Sequence, residues 1–105
     1  MLTETLAPAA VATKANVFAA GRCVSHTLHF ADGSRKTVGV ILPSTLTFNT
    51  SAPEIMEGVA GSCEYRLNDA ADWTRAGAGE RFSVPANSKF EIRTEEGYHY
   101  ICHFG

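Results

Sequence analysis

Short runs of alternating apolar and polar residues recur along most of this chain, and Gly, Pro, Asp or Asn separates one run from the next. Residues 23–30 alternate in this way, and the Asp-Gly pair at 32–33 is a strong signal for a β-hairpin turn. Helical periodicity is hard to find after residue 15. Because turn signals return at intervals of roughly 8 to 12 residues, as in sandwiches and barrels, the chain is predicted to be all β.

The later runs add detail to this prediction. Gly58 and Gly61 favour a bend or hairpin within residues 54–67 over a helix. Residues 89–93 and 98–104 alternate again, so that each has one apolar face. The sequence therefore predicts about eight strands, a number that suits a jelly-roll barrel.

The chain has 105 residues, which is enough for one hydrophobic core. Residues 16–105 are predicted to form a barrel domain, and residues 1–15 an N-terminal arm that is extended or poorly ordered. This arm is not interpreted as a targeting peptide, because it carries Glu4 where a signal peptide carries Lys or Arg, and Lys14 follows its mildly apolar stretch.

Charge and cysteine content narrow the range of partners and compartments. The formal net charge is −2, so nucleic acid is not expected as a partner. No window approaches the roughly 18 apolar residues of a membrane span, and we expect a soluble, cytoplasmic protein that does not interact with membranes. The three cysteines are an odd number without CxxC spacing, which predicts buried, reduced thiols. They are Cys23, Cys63 and Cys102.

Two spacings in the chain resemble the sequence boxes of cupin barrels. Glu54 is followed after six residues by Gly61, as at the end of the first box. Gly79 is followed after five residues by Pro85, as in the second box. In cupins that bind a metal, histidines would stand at three further positions, which here are Thr47, Asn49 and Phe90.

These exchanges argue against a metal site. A carboxylate at Glu54 with only hydroxyl and amide neighbours does not make a transition-metal site. His26 and His29 would point to opposite faces of a strand, and His99 and His103 would lie about 13 Å apart. No metal is expected. A metal-dependent isomerase or oxygenase would need ligands recruited across a dimer.

A closer resemblance extends over roughly residues 16–104. It consists of short words in a fixed order: VGV at 38–40, TF-T at 47–50, PE-M at 53–56, DW at 72–73, F-VP--S-F at 82–90 and Y-C at 100–102. In these words the chain resembles the pyrimidine/purine nucleoside phosphorylases, which are small single-domain cupins formerly described as a domain of unknown function. The resemblance implies a cupin jelly-roll β-barrel.

The same resemblance implies a broad-specificity pentosyltransferase. Such an enzyme converts a purine or pyrimidine nucleoside and inorganic phosphate into free base and ribose 1-phosphate. Phosphate would be the co-substrate, and no other cofactor is expected. Because cleavage of the N-glycosidic bond leaves oxocarbenium character on the sugar, the site needs groups that hold ribose, phosphate and base. None of these tasks demands a metal.

Glu54 is the predicted catalytic residue. It could hold ribose hydroxyls, stabilise the positive carbon or, if burial raises its pKa, assist the departing base. The plainer alternative is a carboxylate in the turn after Pro53. The predicted substrate-binding residues are Thr47, Phe48, Asn49, Ser88, Phe90, Tyr100 and Arg35.

Within that set, Phe90 could present an aromatic face to any base or simply fill the core. Ser88 and Arg35 are the first candidates for a phosphate site. We expect a homodimer, in which a second subunit could complete a shallow pocket. The alternative function is a non-catalytic or regulatory cupin that holds a sugar or nucleoside without turnover.

Overall fold

The computed structural model describes residues 5–104. These residues contain one short 3-10 helix, Ala19–Gly21, and no α-helix, so the predicted all-β class is confirmed. None of their helices has the length and hydrophobicity of a membrane span. The strands are β1 (Ala10–Val11), β2 (Asn16–Phe18), β3 (Cys23–His29), β4 (Arg35–Ile41), β5 (Ser44–Asn49), β6 (Glu54–Leu67), β7 (Thr74–Gly77), β8 (Arg81–Val84), β9 (Lys89–Thr94) and β10 (Tyr98–Phe104).

The strands form two curved antiparallel layers. In the first layer β3, β4, β10 and β6 lie side by side, with β1 and β2 along the outer edge of β3 and β8 paired with β6. In the second layer the order is β5, β9, β6 and β7. Because β6 belongs to both layers, the sheet curls into a half-barrel, and the predicted all-β cupin jelly-roll fold is confirmed.

The long strand β6 shows the first of the two predicted alternatives at Gly58 and Gly61, a bend rather than a hairpin. No hairpin forms at Gly58 or Gly61, because β6 continues for 14 residues. Its pairing with β10 shifts between His99 and Tyr100, and Val59 is left over as a β-bulge. Gly61 has a φ of 74°, a left-handed conformation that favours glycine. The two glycines therefore bend a continuous strand from one layer into the other.

The core lies between the layers, where the inward faces of the strands alternate with outward ones. Its most completely buried side chains are Tyr98, Ile41, Ile92, Val84 and Cys23. All three cysteines are buried and free, as the sequence predicts. Burial raises the pKa of each thiol, for Cys63 to about 12. These thiols therefore remain protonated.

The segment that precedes the barrel runs along the edge of β3. Within the predicted arm, Ala10 and Val11 pair with β3, and Nδ1 of His26 donates to the Ala12 carbonyl oxygen at 3.0 Å. The chain then enters β2, where Asn16 pairs with Ser25. Residues 1–4 of the arm and residue 105 of the barrel domain lie outside the described residues. The edge pairing positions β2 at the mouth of the barrel.

Candidate active site

An open cavity of about 290 Å³ lies between the two layers at the barrel mouth. This volume is at the lower end of the range of small-molecule pockets. One side of the cavity is polar and is built mainly by β2, β3 and β4, whereas Phe48 and Phe90 of the second layer make the opposite wall aromatic. Six of the predicted site residues line it, namely Arg35, Phe48, Asn49, Glu54, Phe90 and Tyr100.

A cation and a carboxylate flank Phe104 at this mouth. Phe104 on β10 pairs with Glu54 on β6, and the guanidinium of Arg35 lies 4.2 Å from the centre of the Phe104 ring. Because β10 lies between β4 and β6, two strand spacings of about 4.8 Å separate the backbones of Arg35 and Glu54. The side chains of Arg35 and Glu54 both line the same opening, and the charge of Arg35 acts on Glu54.

Glu54 is half-buried and has an unusual set of neighbours. Burial raises the pKa of Glu54, while a hydrogen bond from Cys102 and the charge of Arg35 both lower it. The Cys102 thiol donates to Oε1 of Glu54 at 3.4 Å. The balance keeps the pKa of Glu54 above its ordinary value, because burial outweighs the hydrogen bond and the charge of Arg35.

Cys102 acts on Glu54 as a hydrogen-bond donor. Burial and the nearby charge of Glu54 raise the pKa of this thiol, while the hydroxyl of Thr37 lowers it. A buried thiol with a raised pKa is a poor nucleophile. Cys102 can therefore orient the Glu54 carboxylate through its hydrogen bond.

Phe48 presents the accessible aromatic face of the cavity. It stacks on Phe90 with a centroid distance of 5.5 Å, and its ring is nearly perpendicular to that of Phe18, with the two centroids 6.0 Å apart. Phe90 is only 3% exposed, whereas Phe48 is partly exposed. Phe90 thus fills the core behind Phe48, and the surface on which a flat ligand can stack is that of Phe48.

The polar side contains residues that were not predicted from the sequence. Nδ2 of Asn16 donates to Oγ of Ser25 at 3.2 Å and to Oγ1 of Thr27 at 3.1 Å. The alternation along β3 is visible in the sequence and separates Ser25 and Thr27 from Val24 and Leu28. The alternation alone does not show which of the two faces points inward. Here the face of Ser25 and Thr27 lines the cavity, where the opening to water allows polar groups.

Tyr100 forms the floor beside these polar residues. Its buried hydroxyl lies 3.5 Å from Sγ of Cys23. Burial raises the pKa of Tyr100 far above its ordinary value, and a hydrogen bond from Ser25 opposes this shift. The phenol is therefore neutral at physiological pH and available only as a hydrogen-bonding group.

Two predicted residues lie elsewhere. Thr47 does not line the cavity, because the alternation of β5 turns Leu46 and Phe48 inward and leaves Thr47 exposed. Asn49 lies on the same exposed face as Thr47, but at the end of β5, where it borders the opening. Ser88 lies in the turn after β8, where its Oγ donates to the Ala86 carbonyl oxygen at 3.1 Å. Neither Thr47 nor Ser88 lines the cavity.

The histidines lie away from the cavity lining. Nε2 of His103 is 2.8 Å from Oε1 of Glu57, and its Nδ1 is 2.6 Å from Nζ of Lys36, on the outer face of the first layer. Within residues 5–104, no group of three or more His, Cys, Asp or Glu side chains could hold a metal ion.

Two further openings differ in chemistry. An apolar cavity of about 520 Å³ lies outside the first layer, between residues 5–9 and side chains such as Val38 and Ile101. Of the described residues that line it, none is Asp, Glu, Lys or Arg. A polar groove of about 880 Å³ contains Arg75 and Arg93 but no aromatic side chain among its described lining residues. The cavity at the barrel mouth is the opening that combines aromatic, cationic and carboxylate groups.

Comparison with known proteins identifies the family of this chain. The family model described as pyrimidine/purine nucleoside phosphorylase matches residues 13–104. A pyrimidine/purine nucleoside phosphorylase of Polaromonas sp. is 62% identical over the full length of both chains. The solved structure of a protein of unknown function from Acinetobacter sp. ADP1 superposes with a TM-score of 0.95 and 42% identity, covering 98% of this chain and 100% of that chain.

More distant structures share only the fold. The EutQ protein of Clostridium difficile superposes with a TM-score of 0.68 at 16% identity, covering 78% of this chain and 66% of that chain. Family membership is shown by the family model, which matches residues 13–104, and by the relatives that match over their full length. The chain belongs to the pyrimidine/purine nucleoside phosphorylase family.

Proposed function

We propose that this chain is a broad-specificity pentosyltransferase that converts a purine or pyrimidine nucleoside and inorganic phosphate into free base and ribose 1-phosphate. The observation that carries the proposal is the pair of Arg35 and Glu54 on either side of Phe104, in one cavity with the aromatic face of Phe48. Phosphorolysis needs a cation for phosphate, a carboxylate for the sugar and a surface for the base.

Arg35 binds the phosphate in this proposal. Its guanidinium is exposed, forms no salt bridge within residues 5–104 and is held against the Phe104 ring. A guanidinium offers several N–H donors in a planar fork that matches phosphate oxygens. Phosphate bound there would lie between Arg35 and Glu54.

Glu54 holds the ribose. Its carboxylate accepts hydrogen bonds from sugar hydroxyls and lies near the carbon that gains positive charge in the transition state. A phosphate oxygen forms a bond to C1′ while the bond from C1′ to the base nitrogen breaks. The electron pair of the broken bond leaves with the base, which takes up the proton that hydrogen phosphate loses as it becomes the ester.

The base stacks on Phe48, because every nucleobase has a π-face and stacking does not require a particular edge. Asn49, at the end of the same strand, lines the cavity and adds an amide to the opening. The proposed reaction uses no metal or organic cofactor, since each task is given to a side chain of the cavity. The homodimer and the cytoplasmic location stay predictions.

The proposal is tested by incubating the purified protein with adenosine, guanosine, uridine, cytidine and xanthosine, with and without phosphate. Chromatography is expected to show release of the base only when phosphate is present, together with ribose 1-phosphate. Treatment with a chelator is expected to leave the rate unchanged. Binding of nucleosides without turnover would instead support the non-catalytic binding module, and release of base without phosphate would indicate a hydrolase.

A further inference from the structure

The side-chain amide of Asn16 uses its nitrogen for two hydrogen bonds and leaves its oxygen without a partner among the described residues. Both amide hydrogens are directed to hydroxyl oxygens, at 3.2 Å to Ser25 and 3.1 Å to Thr27. Within residues 5–104, its carbonyl Oδ1 has no hydrogen-bond partner, and Asn16 lines the cavity. The two hydroxyls fix the amide, so that Oδ1 is a preoriented acceptor.

The two hydroxyl groups differ in what remains free. The Ser25 hydroxyl also interacts with the hydroxyl of Tyr100. Thr27 accepts from Asn16, and its own hydroxyl hydrogen has no acceptor among the described residues. A hydroxyl hydrogen can rotate to suit a ligand. The polar side therefore offers the cavity one fixed acceptor and one adjustable donor.

The aromatic face lies within reach of this pair. Asn16 and Phe18 are two residues apart on β2, so their side chains share the face that lines the cavity. The ring of Phe18 meets that of Phe48 at 6.0 Å. A flat ligand stacked on Phe48 would consequently direct one edge toward Asn16.

We propose that Asn16 and Thr27, supported by Ser25, read the Watson–Crick edge of the nucleobase and set the base specificity of the site. This inference rests on the proposed function. Oδ1 of Asn16 accepts from a base N–H, and the Thr27 hydroxyl donates to the neighbouring oxygen or nitrogen lone pair.

Such a reader fits both base classes. Uracil and guanine present a ring N–H beside a carbonyl oxygen, and cytosine and adenine present an amino group beside a ring nitrogen. Each edge therefore offers one donor next to one acceptor, which the fixed Asn16 oxygen and the rotating Thr27 hydroxyl can match. The arrangement discriminates against bases whose edge donor is blocked, rather than between purines and pyrimidines.

The test compares uridine with 3-methyluridine, which lacks the edge N–H, by calorimetric titration of the unaltered protein. Loss of a buried hydrogen bond predicts at least about tenfold weaker binding of the methylated nucleoside. Asn16→Ala is expected to weaken uridine binding to the level of 3-methyluridine and to abolish the difference. Thr27→Val is expected to weaken uridine binding as well, whereas Thr45→Val on the exposed face of β5 leaves it unchanged.

The outcomes separate this inference from the function on which it rests. If uridine is cleaved with phosphate but 3-methyluridine binds and reacts equally well, the edge reader is wrong and the phosphorylase stands. If no nucleoside is bound or cleaved, both are wrong. The comparison of the two nucleosides needs no variant, so a folding defect in Asn16→Ala cannot obscure the result.

Discussion

The thiol of Cys102 donates a hydrogen bond of 3.4 Å to Oε1 of Glu54 at the mouth of the barrel. Burial keeps the thiol protonated, and the hydrogen bond in turn favours the ionised form of Glu54. A buried cysteine thus acts on the charge of the proposed catalytic carboxyl group without being a nucleophile.

Replacing Glu54 with Gln removes the negative charge while keeping the size of the side chain. We expect kcat to fall about 100-fold or more, because the charge is proposed to act on the developing oxocarbenium ion. Steady-state kinetics with uridine and phosphate measure the effect. Glu95→Gln, which changes an exposed carboxylate outside the cavity, serves as the control. Equal turnover in wild type and Glu54→Gln would remove Glu54 from the mechanism.

Replacing Cys102 with Ala removes the donor that lowers the pKa of Glu54. The pKa of Glu54 then rises further, and the acidic limb of the profile of kcat/KM against pH is expected to move to higher pH. Cys102→Ser keeps a donor and should restore the position of that limb. If the acidic limb is identical in Cys102→Ala and wild type, the hydrogen bond from Cys102 does not control the ionisation of Glu54.

Replacing Arg35 with Ala should weaken the use of phosphate specifically. We expect the KM for phosphate to rise at least about tenfold, because a charge-assisted pair of hydrogen bonds is lost. Arg35→Lys should be intermediate, since an ammonium group lacks the planar fork. Arg75→Ala, in the polar groove, is the matched control. A larger change in nucleoside KM than in phosphate KM would assign Arg35 to the nucleoside instead.

The raised pKa of Glu54 has a consequence for stability. Because the folded pKa lies above the ordinary value of 4.5, the folded state retains this proton more strongly than the unfolded state. The stabilising contribution is fully present below pH 4.5 and is lost as the pH rises through the folded pKa. Glu54→Gln should therefore gain stability relative to wild type as the pH rises from 4 to 8 in urea titrations. A difference that is constant with pH would contradict the shift.

The three thiols should be unreactive in the folded protein. Cys23, Cys63 and Cys102 are buried, and burial raises the pKa of each. A disulfide exchange reagent at pH 8 is expected to react slowly with the native protein and rapidly with all three thiols in urea. Rapid reaction of one thiol under native conditions would contradict the burial of that thiol.

Much of the fold could be predicted because local physics agreed with the tertiary structure. The Asp-Gly pair at 32–33 forms the turn between β3 and β4, where Gly33 has a φ of 89°. The alternating pattern of β10 turns Tyr98, Tyr100 and Cys102 inward, as the sequence predicts. By contrast, Gly58 and Gly61 bend β6 within a continuous strand, since pairing with strands on both sides outweighs the local turn signal.

The site was less predictable, because it depends on which face of each strand turns inward. A position counted from a cupin box put Thr47 with Glu54, but the pleat of β5 exposes Thr47 and turns Phe48 into the cavity. Asn16 was not predicted, since its role arises from the long-range pairing of β2 with β3. Arg35 and Glu54 were named from the sequence, but their arrangement around Phe104 needed the strand order of the first layer.

Phosphorus NMR of the wild-type protein with uridine and inorganic phosphate tests most directly that this cavity joins phosphate to ribose. The proposed function predicts that a ribose 1-phosphate signal grows as inorganic phosphate declines, in equal amount to the uracil released. Glu54→Gln and Arg35→Ala should both slow this exchange. Release of uracil with no new phosphate ester, or equal rates in the wild type and both variants, would contradict it.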